Sequence, residues 1–529
     1  MIVPLTPLRC LHRAMDLFGH KAGVVSGERT FTYGEFGARS QKLATGLAAI
    51  GARPGDRIAF LSFNTHKLLE SYFGVLQARA VLMPLNVRLS QAELVQILNH
   101  SGARLLCFEN DFASYTEIFR KQCPGIEKYI TLDELVPGAD MTYEQVLDHG
   151  RPERADVHTY DENAIAELFY TSGSTGAPKG VALSHRTLYV HCLDVAAVLD
   201  DMATAVDLHT IPLFHANGWG RPQISTMLGA KQVMVRRFEP PSVLRLIAGQ
   251  RATHMCLVPT MANALLNCPD VATTDVSSLR QIMIGGAAAS AELMERLEKT
   301  FGCDVVAGYG LTETSPVLST GMKKSTVVYA DDADRYRRQA MAGWPVPGVE
   351  VRVVDFKNQD VPRDMTSVGE VVARGDHIMD GYFREPEQTA AVMLDGWFHS
   401  GDMAVWDEEG YIHIVDRKKE IIISGGENIS SIEVEKAIFA HPAVFECAVV
   451  AAPDQKWGEV PAAIVVLKPG AALTAEELLE FLVQRLGKFK LPRHIEFRED
   501  QLPKTGTGKI RKLLLKEKFW SGKEKRVQG

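Results

Sequence analysis

Short β-forming runs alternate with amphipathic helical patterns in two separate blocks of the chain. In residues 31–109, the runs RIAFLSF, AVLMPLN and RLLCFE are separated by the helical patterns HKLLESYFGVLQA and SQAELVQILNH. In residues 254–310, the alternation returns between HMCLVPT and DVVAGYG. Strands separated by helices of this length are typical of βαβ units in a parallel sheet. The sequence therefore predicts an α/β protein with two α/β halves.

The pattern changes after Arg417. A helical SSIEVEKAIFAH is followed by the strand-like runs AVFECAVVAA and PAAIVVLKP and by a helical TAEELLEFLVQRL. A unit of roughly a hundred residues can fold alone, whereas 529 residues are too many for one compact core. We therefore predict an N-terminal domain over residues 1–417 and a small α+β domain over residues 418–529. The charged segment VDRKKE (415–420) is the predicted hinge.

Composition excludes several classes of protein. The net charge of -7 gives no general attraction to nucleic acid. The eight cysteines show no CxxC pair and no zinc-like spacing, so we expect reduced thiols, mostly in the core. No apolar run approaches the ~20 residues of a membrane helix. We expect a soluble cytoplasmic protein without a nucleic-acid partner or a transmembrane segment, and a homodimer is left open.

The segment YTSGSTGAPKGV (170–181) lies between two strand-like runs. Its glycines let backbone N–H groups turn toward a ligand, its hydroxyls add donors, and Lys179 supplies charge, which suits a triphosphate. A P-loop requires G-x-x-x-x-G-K-[ST] before a helix; here Pro178 precedes the lysine, Gly180 follows it, and a strand comes next. Spacing and context therefore argue against a P-loop. A flexible Ser/Gly surface loop is the alternative, and the twelve ordered positions disfavour it.

This segment strongly resembles the phosphate loop of the adenylate-forming superfamily, which includes acyl-CoA synthetases, luciferases and the adenylation domains of peptide synthetases. The resemblance covers nearly the whole chain and implies two α/β subdomains with mostly parallel sheets, a distorted β-barrel and a small mobile α+β C-terminal domain. Such enzymes join a carboxylate to the α-phosphate of ATP, release pyrophosphate and let a thiol displace AMP. The resemblance thus implies ATP, Mg²⁺ and coenzyme A as ligands. It assigns to ATP the loop residues Thr171, Ser172, Gly173, Ser174, Thr175, Gly176 and Lys179.

The segment VAGYGLTETS (306–315) extends the resemblance. Glu313 resembles the family's magnesium ligand, with Thr171 as the hydroxyl on the other side of the ion; both offer the oxygen atoms that a hard cation prefers. A carboxylate at a helix start is the alternative for Glu313. Tyr309 resembles the residue that stacks on adenine, and Thr312 resembles a phosphate contact. The resemblance places around the nucleotide and the acyl group Gly285, Gly286, Ala307, Gly308 and Gly310.

The segment GWFHSGDMAVWDEEGYIHIVDRKKE carries three further matches. Asp402 resembles the carboxylate that accepts hydrogen bonds from both ribose hydroxyls, because its two oxygens suit a vicinal diol. Arg417 resembles a second ribose or phosphate contact, and Lys419 occupies the family's hinge position. A turn aspartate and a solvated surface lysine are the respective alternatives for Asp402 and Lys419.

The C-terminal segment LPKTGTGKIRK supplies Lys509. It resembles the lysine that contacts the carboxylate and the α-phosphate during adenylation. Such a cation is needed because two like charges ~4 Å apart repel by ~4 kcal/mol at an effective dielectric constant of ~20. The family's small domain is thought to rotate between the half-reactions, which would place Gly425 and Gly426 of SGGENIS along a pantetheine tunnel. A hairpin turn is the alternative for these two glycines.

The segment IPLFHANGWG (211–220) carries the substrate prediction. His215 matches a residue that lines the acyl entrance in relatives, and we assign it a catalytic role beside Lys509 and Glu313. Trp219 resembles the tryptophan that gates the acyl tunnel of fatty acyl-CoA synthetases, with core packing as its alternative. The apolar lining offered by Ala216 and VPTMANALL indicates an aliphatic acid of medium or long chain.

Two observations concern the acceptor and the rival substrates. Amino-acid-activating members place an aspartate in this region, which is missing here, and only about twenty residues follow Lys509, so we expect a free thiol such as CoA. Asn428 stands where fatty acyl members can carry a tryptophan, whereas many medium-chain and aryl-acid ligases carry Asn. The predicted function is an ATP-dependent acyl-CoA ligase for a small-molecule carboxylic acid. The alternatives are an aryl-acid or short functionalised-acid CoA ligase, a nucleotide sensor without turnover and a P-loop NTPase.

Overall fold

The structure is a computed structural model that divides into two compact units. Its described residues are 2–172, 178–199, 202–424, 427–504 and 510–520. Unit 1 comprises Met1–Val351, Val372–His399 and Glu408–Ile412. Unit 2 comprises Arg352–Val371, Ser400–Asp407 and His413–Gly529. The domain boundary after residue 417 stays a prediction.

The helices follow in chain order. Helices α1–α8 are Leu8–Phe18, Tyr33–Ala49, His66–Gln77, Gln91–Ser101, Thr116–Gln122, Tyr143–Asp148, His185–Ala196 and Arg221–Leu228. Helices α9–α16 are Pro240–Gln250, Pro259–Leu266, Ala291–Phe301, Asp332–Gln339, Pro386–Ala390, Ser431–Phe439, Ala475–Val483 and Lys512–Trp520. Short 3-10 segments are Asn110–Tyr115, Val157–Thr159, Met202–Thr204, Ala216–Gly220, Pro269–Ala272, Thr312–Thr314 and Lys488–Lys490.

The strands are numbered in the same way. Strands β1–β9 are Ala22–Ser26, Arg29–Thr32, Arg57–Leu61, Val81–Pro84, Ala103–Phe108, Lys128–Thr131, Met141–Thr142, Ile165–Ser172 and Pro178–Ser184. Strands β10–β18 are Val206–His209, Lys231–Met234, His254–Leu257, Gln281–Ile284, Asp304–Gly310, Val317–Thr320, Trp344–Pro345, Val349–Val354 and Gly369–Gly375. Strands β19–β27 are Gly381–Tyr382, Met393–Leu394, Trp397–Trp406, Ile412–Arg417, Ile422–Ser424, Glu427–Ile429, Val444–Asp454, Gly458–Leu467 and His494–Arg498.

Local sequence signals explain where several helices begin. The side chain of Thr32 accepts a hydrogen bond from the Glu35 N–H group, and the Glu35 carboxylate accepts one from the Thr32 N–H group in return. Ser90 and Glu93 form the same reciprocal capping box at the start of α4. Each box satisfies donors that the first helical turn leaves without partners, which is worth about 1 kcal/mol.

Unit 1 contains two large, mostly parallel sheets. One has eight strands in the order β19-β9-β8-β4-β3-β5-β6-β7, and the other has nine in the order β16-β15-β14-β13-β12-β10-β11-β1-β2. The predicted α/β class with two halves is confirmed, since helices separate the parallel strands in both sheets. Strand β8 of the eight-stranded sheet leads into the phosphate-loop segment.

Two smaller sheets complete the fold. Residues 349–417 contribute a five-stranded sheet in the order β17-β18-β21-β20 with β22 beside β21, and its pairings among the described residues run as an open path. In unit 2, β24-β23-β26-β25 form a sheet with β27 parallel to β26. Helices α14 and α15 pack on this sheet through buried Val434, Ile438, Leu478 and Leu482. The expected small α+β C-terminal unit is confirmed.

The cores account for all the cysteines. Each of the eight is buried and unpaired, as expected for reduced core thiols. Seven belong to unit 1, and Cys447 belongs to unit 2. Among the described residues, no helix is long and apolar enough to cross a membrane.

Candidate active site

A β-hairpin holds the two ends of the phosphate-loop segment. Strand β8 pairs antiparallel with β9, and the register places Thr171 opposite Lys179 and Ser172 opposite Pro178. Directly opposed residues of an antiparallel pair have Cβ atoms about 4.5–5.5 Å apart. Thr171, the predicted hydroxyl ligand, and Lys179, the predicted cation, are therefore neighbours on the hairpin. Outside the described residues lie the remaining loop residues that were assigned to ATP, which are Gly173, Ser174, Thr175 and Gly176.

Tyr382 connects this hairpin with the predicted magnesium ligand. Its strand, β19, pairs antiparallel with β9 and places Tyr382 opposite Val181. The Lys179 Nζ atom lies 4.9 Å from the centre of the Tyr382 ring, within the range of a cation–π contact. The Tyr382 hydroxyl donates a hydrogen bond to Glu313 Oε1 at 2.9 Å. Lys179, Tyr382 and Glu313 therefore form one connected set of polar groups.

The protonation state of Tyr382 is fixed by its surroundings. Burial, and after it the Glu313 carboxylate, raise the pKa of the Tyr382 hydroxyl well above its usual range. The hydroxyl therefore remains a donor at neutral pH and orients the carboxylate. Sequence reasoning missed Tyr382, because a tyrosine 69 positions from Glu313 in a two-residue strand gives no periodic signal.

A tight turn fixes the backbone around Glu313. The 3-10 turn Thr312–Thr314 begins one residue after β14, and Thr312 is buried within it. A Cβ atom added to Gly310 would lie only 1.6 Å from the Pro316 carbonyl oxygen. Glycine is therefore required at this position, because the chain crosses itself closely just before the turn.

Strands β13 and β14 bring the two glycine-containing segments together. The two strands are parallel, with Ala307 opposite Ile284. Tyr309, the predicted adenine platform, is half-buried at the end of β14. A Cβ atom added to Gly308 would lie 3.1 Å from the Met283 sulfur, so the strands approach closely at this point. The predicted nucleotide strand thus lies directly beside the strand that leads to the predicted acyl floor.

The Trp219 indole lies against the backbone of the glycine pair at the end of β13. A Cβ atom added to Gly285 would lie 2.8 Å from Trp219 Cη2 and 2.7 Å from the Gly308 carbonyl oxygen. A Cβ atom on Gly286 would lie 3.7 Å from Trp219 Cζ2, and the positive φ of 74° at Gly286 favours glycine as well. The structure therefore brings together four of the predicted acyl and nucleotide residues, which are Trp219, Gly285, Gly286 and Gly308.

A buried apolar cluster surrounds this indole. We call it the Trp219 cluster, and its members are Ile211, Ala216, Trp219, Cys256, Met283 and Val306. Met283 and Val306 are opposed in the register of β13 and β14, so the cluster rests on the same two strands as the predicted nucleotide residues.

The segment that carries Trp219 is a left-handed turn. Its φ angles are 46° at Ala216, 53° at Asn217, 50° at Gly218, 60° at Trp219 and 73° at Gly220. Left-handed backbone costs a non-glycine residue about 1–2 kcal/mol, and it normally occurs at single residues. Five consecutive left-handed residues therefore need support from the surrounding structure.

His215 stands immediately before this turn. Its side chain is exposed, its N–H group donates to the Pro212 carbonyl at 3.0 Å, and its own carbonyl accepts a hydrogen bond from the Gly218 N–H group at 3.1 Å. These backbone contacts begin the left-handed turn. The acyl-entrance and catalytic roles assigned to the His215 side chain stay predictions.

In unit 2, the two predicted ribose contacts are paired with each other. Arg417 Nε lies 2.7 Å from Asp402 Oδ1. Asp402 is only 3 % exposed, and its N–H group donates to Ser400 Oγ at 3.0 Å. The guanidinium holds the carboxylate in one orientation. A fixed carboxylate with a second oxygen is suited to hydrogen bonding with a diol.

The other predicted residues of unit 2 are less informative. Lys419 is exposed in the turn that follows β22. The positions of Gly425, Gly426 and Lys509 lie outside the described residues. Their roles in hinge motion, CoA binding and adenylation stay predictions.

Comparison with known proteins places these features in a family. The model of the AMP-binding enzyme family matches residues 11–383, and the model of the AMP-binding enzyme C-terminal domain matches residues 433–509. A long-chain-fatty-acid–CoA ligase of Thermus thermophilus is 40% identical over 520 residues, with 96% of this chain and 94% of the relative covered. A feruloyl-CoA synthase of Amycolatopsis sp is 38% identical, with 94% and 96% covered.

A solved structure agrees with the fold. The ATP-bound MatB of Rhodopseudomonas palustris superimposes with a TM-score of 0.84 at 27% identity, and 97% of this chain and 99% of that chain are covered. The two large sheets, and the site around Trp219, Gly285, Gly286 and Gly308, are therefore those of an adenylate-forming enzyme. The chain belongs to the AMP-binding enzyme family. It is an acid–thiol ligase of the acyl-CoA synthetase branch, and it binds ATP.

Proposed function

We propose that this enzyme activates a medium- or long-chain aliphatic carboxylic acid as an acyl-adenylate and transfers the acyl group to CoA. The observation that carries the proposal is the Trp219 cluster, a buried apolar set in which Met283 and Val306 lie on β13 and β14, beside the predicted nucleotide residues. Each methylene group that leaves water for such surroundings gains about 0.8 kcal/mol. We infer that an aliphatic tail would contact these side chains, next to the site where its carboxylate would react.

We assign the phosphate end of ATP to the connected groups of unit 1. Lys179 supplies a positive charge, and Tyr382 orients the Glu313 carboxylate. The carboxylate of Glu313 and the hydroxyl of Thr171 are oxygen donors, so their chemistry fits Mg²⁺. When bound, the ion would offset the charge of the phosphates. The side chains named here would hold the ion in place. The positive charges of the ion and of Lys179 would lower the repulsion between the phosphates and the incoming carboxylate.

We assign to unit 2 the ribose contact, the adenylation lysine and the CoA path. The Asp402–Arg417 pair supports ribose binding through the fixed carboxylate. Lys509 would bring a cation to the carboxylate during adenylation and withdraw when unit 2 rotates. Gly425 and Gly426 would then line the path of the CoA pantetheine arm.

A second candidate is an aryl-acid or short functionalised-acid CoA ligase. The similarity to a feruloyl-CoA synthase and the presence of Asn428 favour it. The Trp219 cluster supports the aliphatic proposal, because its polar side-chain groups are limited to the Trp219 indole N–H and the Cys256 thiol, and the rest of its side chains are hydrocarbon or thioether.

An exchange assay separates the two candidates. Acid-dependent ATP–pyrophosphate exchange is measured with straight-chain acids from butanoate to octadecanoate and with ferulate, followed by addition of CoA. The aliphatic proposal expects kcat/KM to rise about fourfold per methylene group until the pocket is filled. A higher kcat/KM for ferulate than for every aliphatic acid would establish the second candidate instead.

A further inference from the structure

A buried carboxyl group lies on the strand that leads to the phosphate loop. Glu167 belongs to β8, four residues before Thr171, and its exposed fraction is 0%. Its Oε1 atom accepts a hydrogen bond from Gln223 Nε2 at 2.9 Å. Its Oε2 atom is buried and has no partner in the part of the chain that the structure describes.

Gln223 joins this carboxyl group to the left-handed turn. Its Nε2 atom also donates to Asn217 Oδ1 at 3.1 Å. Its Oε1 atom is, like Glu167 Oε2, buried and without a partner among the described residues. The Gln223 amide group thus donates hydrogen bonds both to Glu167 on β8 and to Asn217 in the left-handed turn.

A proton on the Glu167 carboxyl group would provide a hydrogen bond between the two unpartnered oxygen atoms. A carboxylate and an amide oxygen are both acceptors, so they cannot satisfy each other. A carboxylic acid has an O–H donor, and with an amide it can form a cyclic pair that uses one O–H and one N–H bond. Burial raises the pKa of Glu167 well above its usual range, although the Gln223 hydrogen bond opposes this effect. Burial therefore favours the protonated, neutral form of Glu167.

Asn217, the residue to which Gln223 donates, lies inside the left-handed turn Ala216–Gly220. Asn217 is 1% exposed and adopts a φ of 53°, and Trp219 follows two residues later with a φ of 60°. Left-handed backbone is sterically disfavoured at both, so the turn keeps its shape only if contacts hold it. The hydrogen bond from Gln223 supplies such a contact inside the protein.

We propose that Glu167 and Gln223 form a neutral acid–amide pair that positions the Trp219 indole through Asn217, and that this pair sets which acyl chains the enzyme accepts. Glu167 and Gln223 are positioning residues, because they act on the substrate through Trp219. The inference rests on the proposed aliphatic acyl-CoA ligase function.

The test compares conservative and apolar variants. Glu167→Gln keeps a neutral donor and acceptor and is expected to keep the acyl-chain profile of the wild type. Glu167→Leu and Gln223→Leu remove the pair and are expected to raise KM for the preferred acid about tenfold, with KM for ATP changed less than about twofold. A wild-type chain profile in Glu167→Leu overturns the inference.

Glu70→Leu is the matched control. Glu70 is also 0% exposed and hydrogen-bonded, but its partners are Arg39 and Tyr143 on other elements. Its loss is expected to lower stability without changing the ratio of kcat/KM between acids. A change in that ratio equal to that of Glu167→Leu would show that any buried defect produces the effect, and would overturn the inference.

A second variant covers a failure of Glu167→Leu to fold. Asn217→Gly keeps the left-handed backbone but removes the anchored oxygen, and it is expected to flatten the acyl-chain profile. An unchanged profile in Asn217→Gly overturns the inference.

A readout independent of activity separates this inference from the proposed function. The fluorescence of Trp219, taken as the difference from Trp219→Phe, is expected to shift in Glu167→Leu and to stay unchanged in Glu167→Gln. The proposed function fails if wild-type enzyme forms no acyl-CoA from any aliphatic acid. The acid–amide pair fails if the Trp219 signal is the same in wild type and in Glu167→Leu.

Discussion

At the scale of single residues, Tyr382 acts through two different parts of its side chain. Its ring lies beneath Lys179, whereas its hydroxyl donates to Glu313. Tyr382→Phe keeps the ring and removes the donor, so we expect adenylation to slow about three- to tenfold. Tyr382→Leu removes both contacts and is expected to slow it further. Saturating ATP–pyrophosphate exchange measures both effects.

Tyr160 offers a matched control for this comparison. Its hydroxyl donates to the Gln77 carbonyl at 2.6 Å, and Arg79 Cζ lies 4.3 Å from the centre of its ring. The contacts are of the same kind but involve none of the predicted site residues. Tyr160→Phe is expected to leave the exchange rate unchanged. A loss in Tyr382→Phe no larger than in Tyr160→Phe contradicts the role of the Tyr382 hydroxyl.

A buried ion pair gives a pH prediction. Arg221 Nη2 lies 2.7 Å from Asp207 Oδ1, and both residues are buried. Burial alone would raise the pKa of Asp207, but Arg221 and His209 outweigh it and lower the pKa to about 2. The stabilisation is therefore present above the unfolded-state pKa of 3.8 and is lost as pH falls through about 2.

We expect Asp207→Asn to be less stable than wild type by about 3–5 kcal/mol at neutral pH, because Arg221 keeps its charge in a buried place. The difference should shrink by roughly 2 kcal/mol between pH 4 and pH 2. Urea unfolding over this pH range measures it. Asp16→Asn, which removes a half-exposed pair with Arg154, should cost about 1 kcal/mol or less. A pH-independent difference for Asp207→Asn would contradict the assigned pKa.

Single residues were predictable where they belong to a contiguous motif. Thr171 and Lys179 lie in one segment, and the hairpin places them side by side. Tyr382 and Gln223 were not predictable, because each acquires its partners from a distant part of the chain. Nothing in the local sequence specifies which strand edge or helix face such residues will meet.

At the scale of elements, two glycines give opposite predictions. Gly249 lies in α9, and a Cβ atom there would meet nothing within 4 Å. Gly249→Ala should therefore stabilise the protein by about 0.5–1 kcal/mol, since alanine loses less backbone entropy in a helix. Gly310→Ala should cost about 3 kcal/mol or more, because its Cβ atom would collide with the Pro316 backbone.

Urea denaturation of both glycine variants measures these effects, with wild type as reference. A stable Gly310→Ala protein with normal exchange activity would show that the turn before Glu313 can relax. A destabilised Gly249→Ala protein would show that α9 needs a flexible end.

Helical periodicity located several elements well. The predicted patterns at 66–78 and 90–100 appear as α3 and α4. The pairing of distant strands was beyond the sequence. Strand β1, near the N-terminus, pairs with β11 in the nine-stranded sheet, so this sheet combines strands that are far apart in the sequence. The left-handed turn Ala216–Gly220 was not predicted either, because it has no repeating pattern.

At the scale of the whole molecule, Lys509 tests the division of labour between the units. If Lys509 has the proposed role, Lys509→Ala should lower acyl-adenylate formation about 100-fold or more, because the site would lose a cation that offsets developing charge. Thioesterification of a supplied acyl-adenylate should change little. Rapid-quench measurement of each half-reaction separates the two effects.

Lys518→Ala is the control for Lys509→Ala. Lys518 also belongs to the C-terminal unit, but it is exposed and pairs with Glu496 at 2.7 Å. Both half-reactions should proceed normally in this variant. Equal losses of the two half-reactions in Lys509→Ala would contradict the assigned role.

The change of sequence pattern after Arg417 predicts a small α+β unit, and the structure confirms that this unit exists. The segments Arg352–Val371 and Ser400–Asp407 also belong to unit 2. Their membership follows from strand pairing across long sequence distances, which composition and periodicity do not encode.

The buried thiols make the native molecule resistant to alkylation. Burial raises the pKa of the Cys447 thiol to about 12, so its reactive thiolate is scarce while unit 2 stays folded. Since the other cysteines all belong to unit 1, mass spectrometry after pulses of iodoacetamide in rising urea would time the opening of each unit separately. Modification of Cys447 before any other cysteine would mean that the C-terminal unit melts on its own, and simultaneous modification would mean that the chain unfolds in one cooperative event.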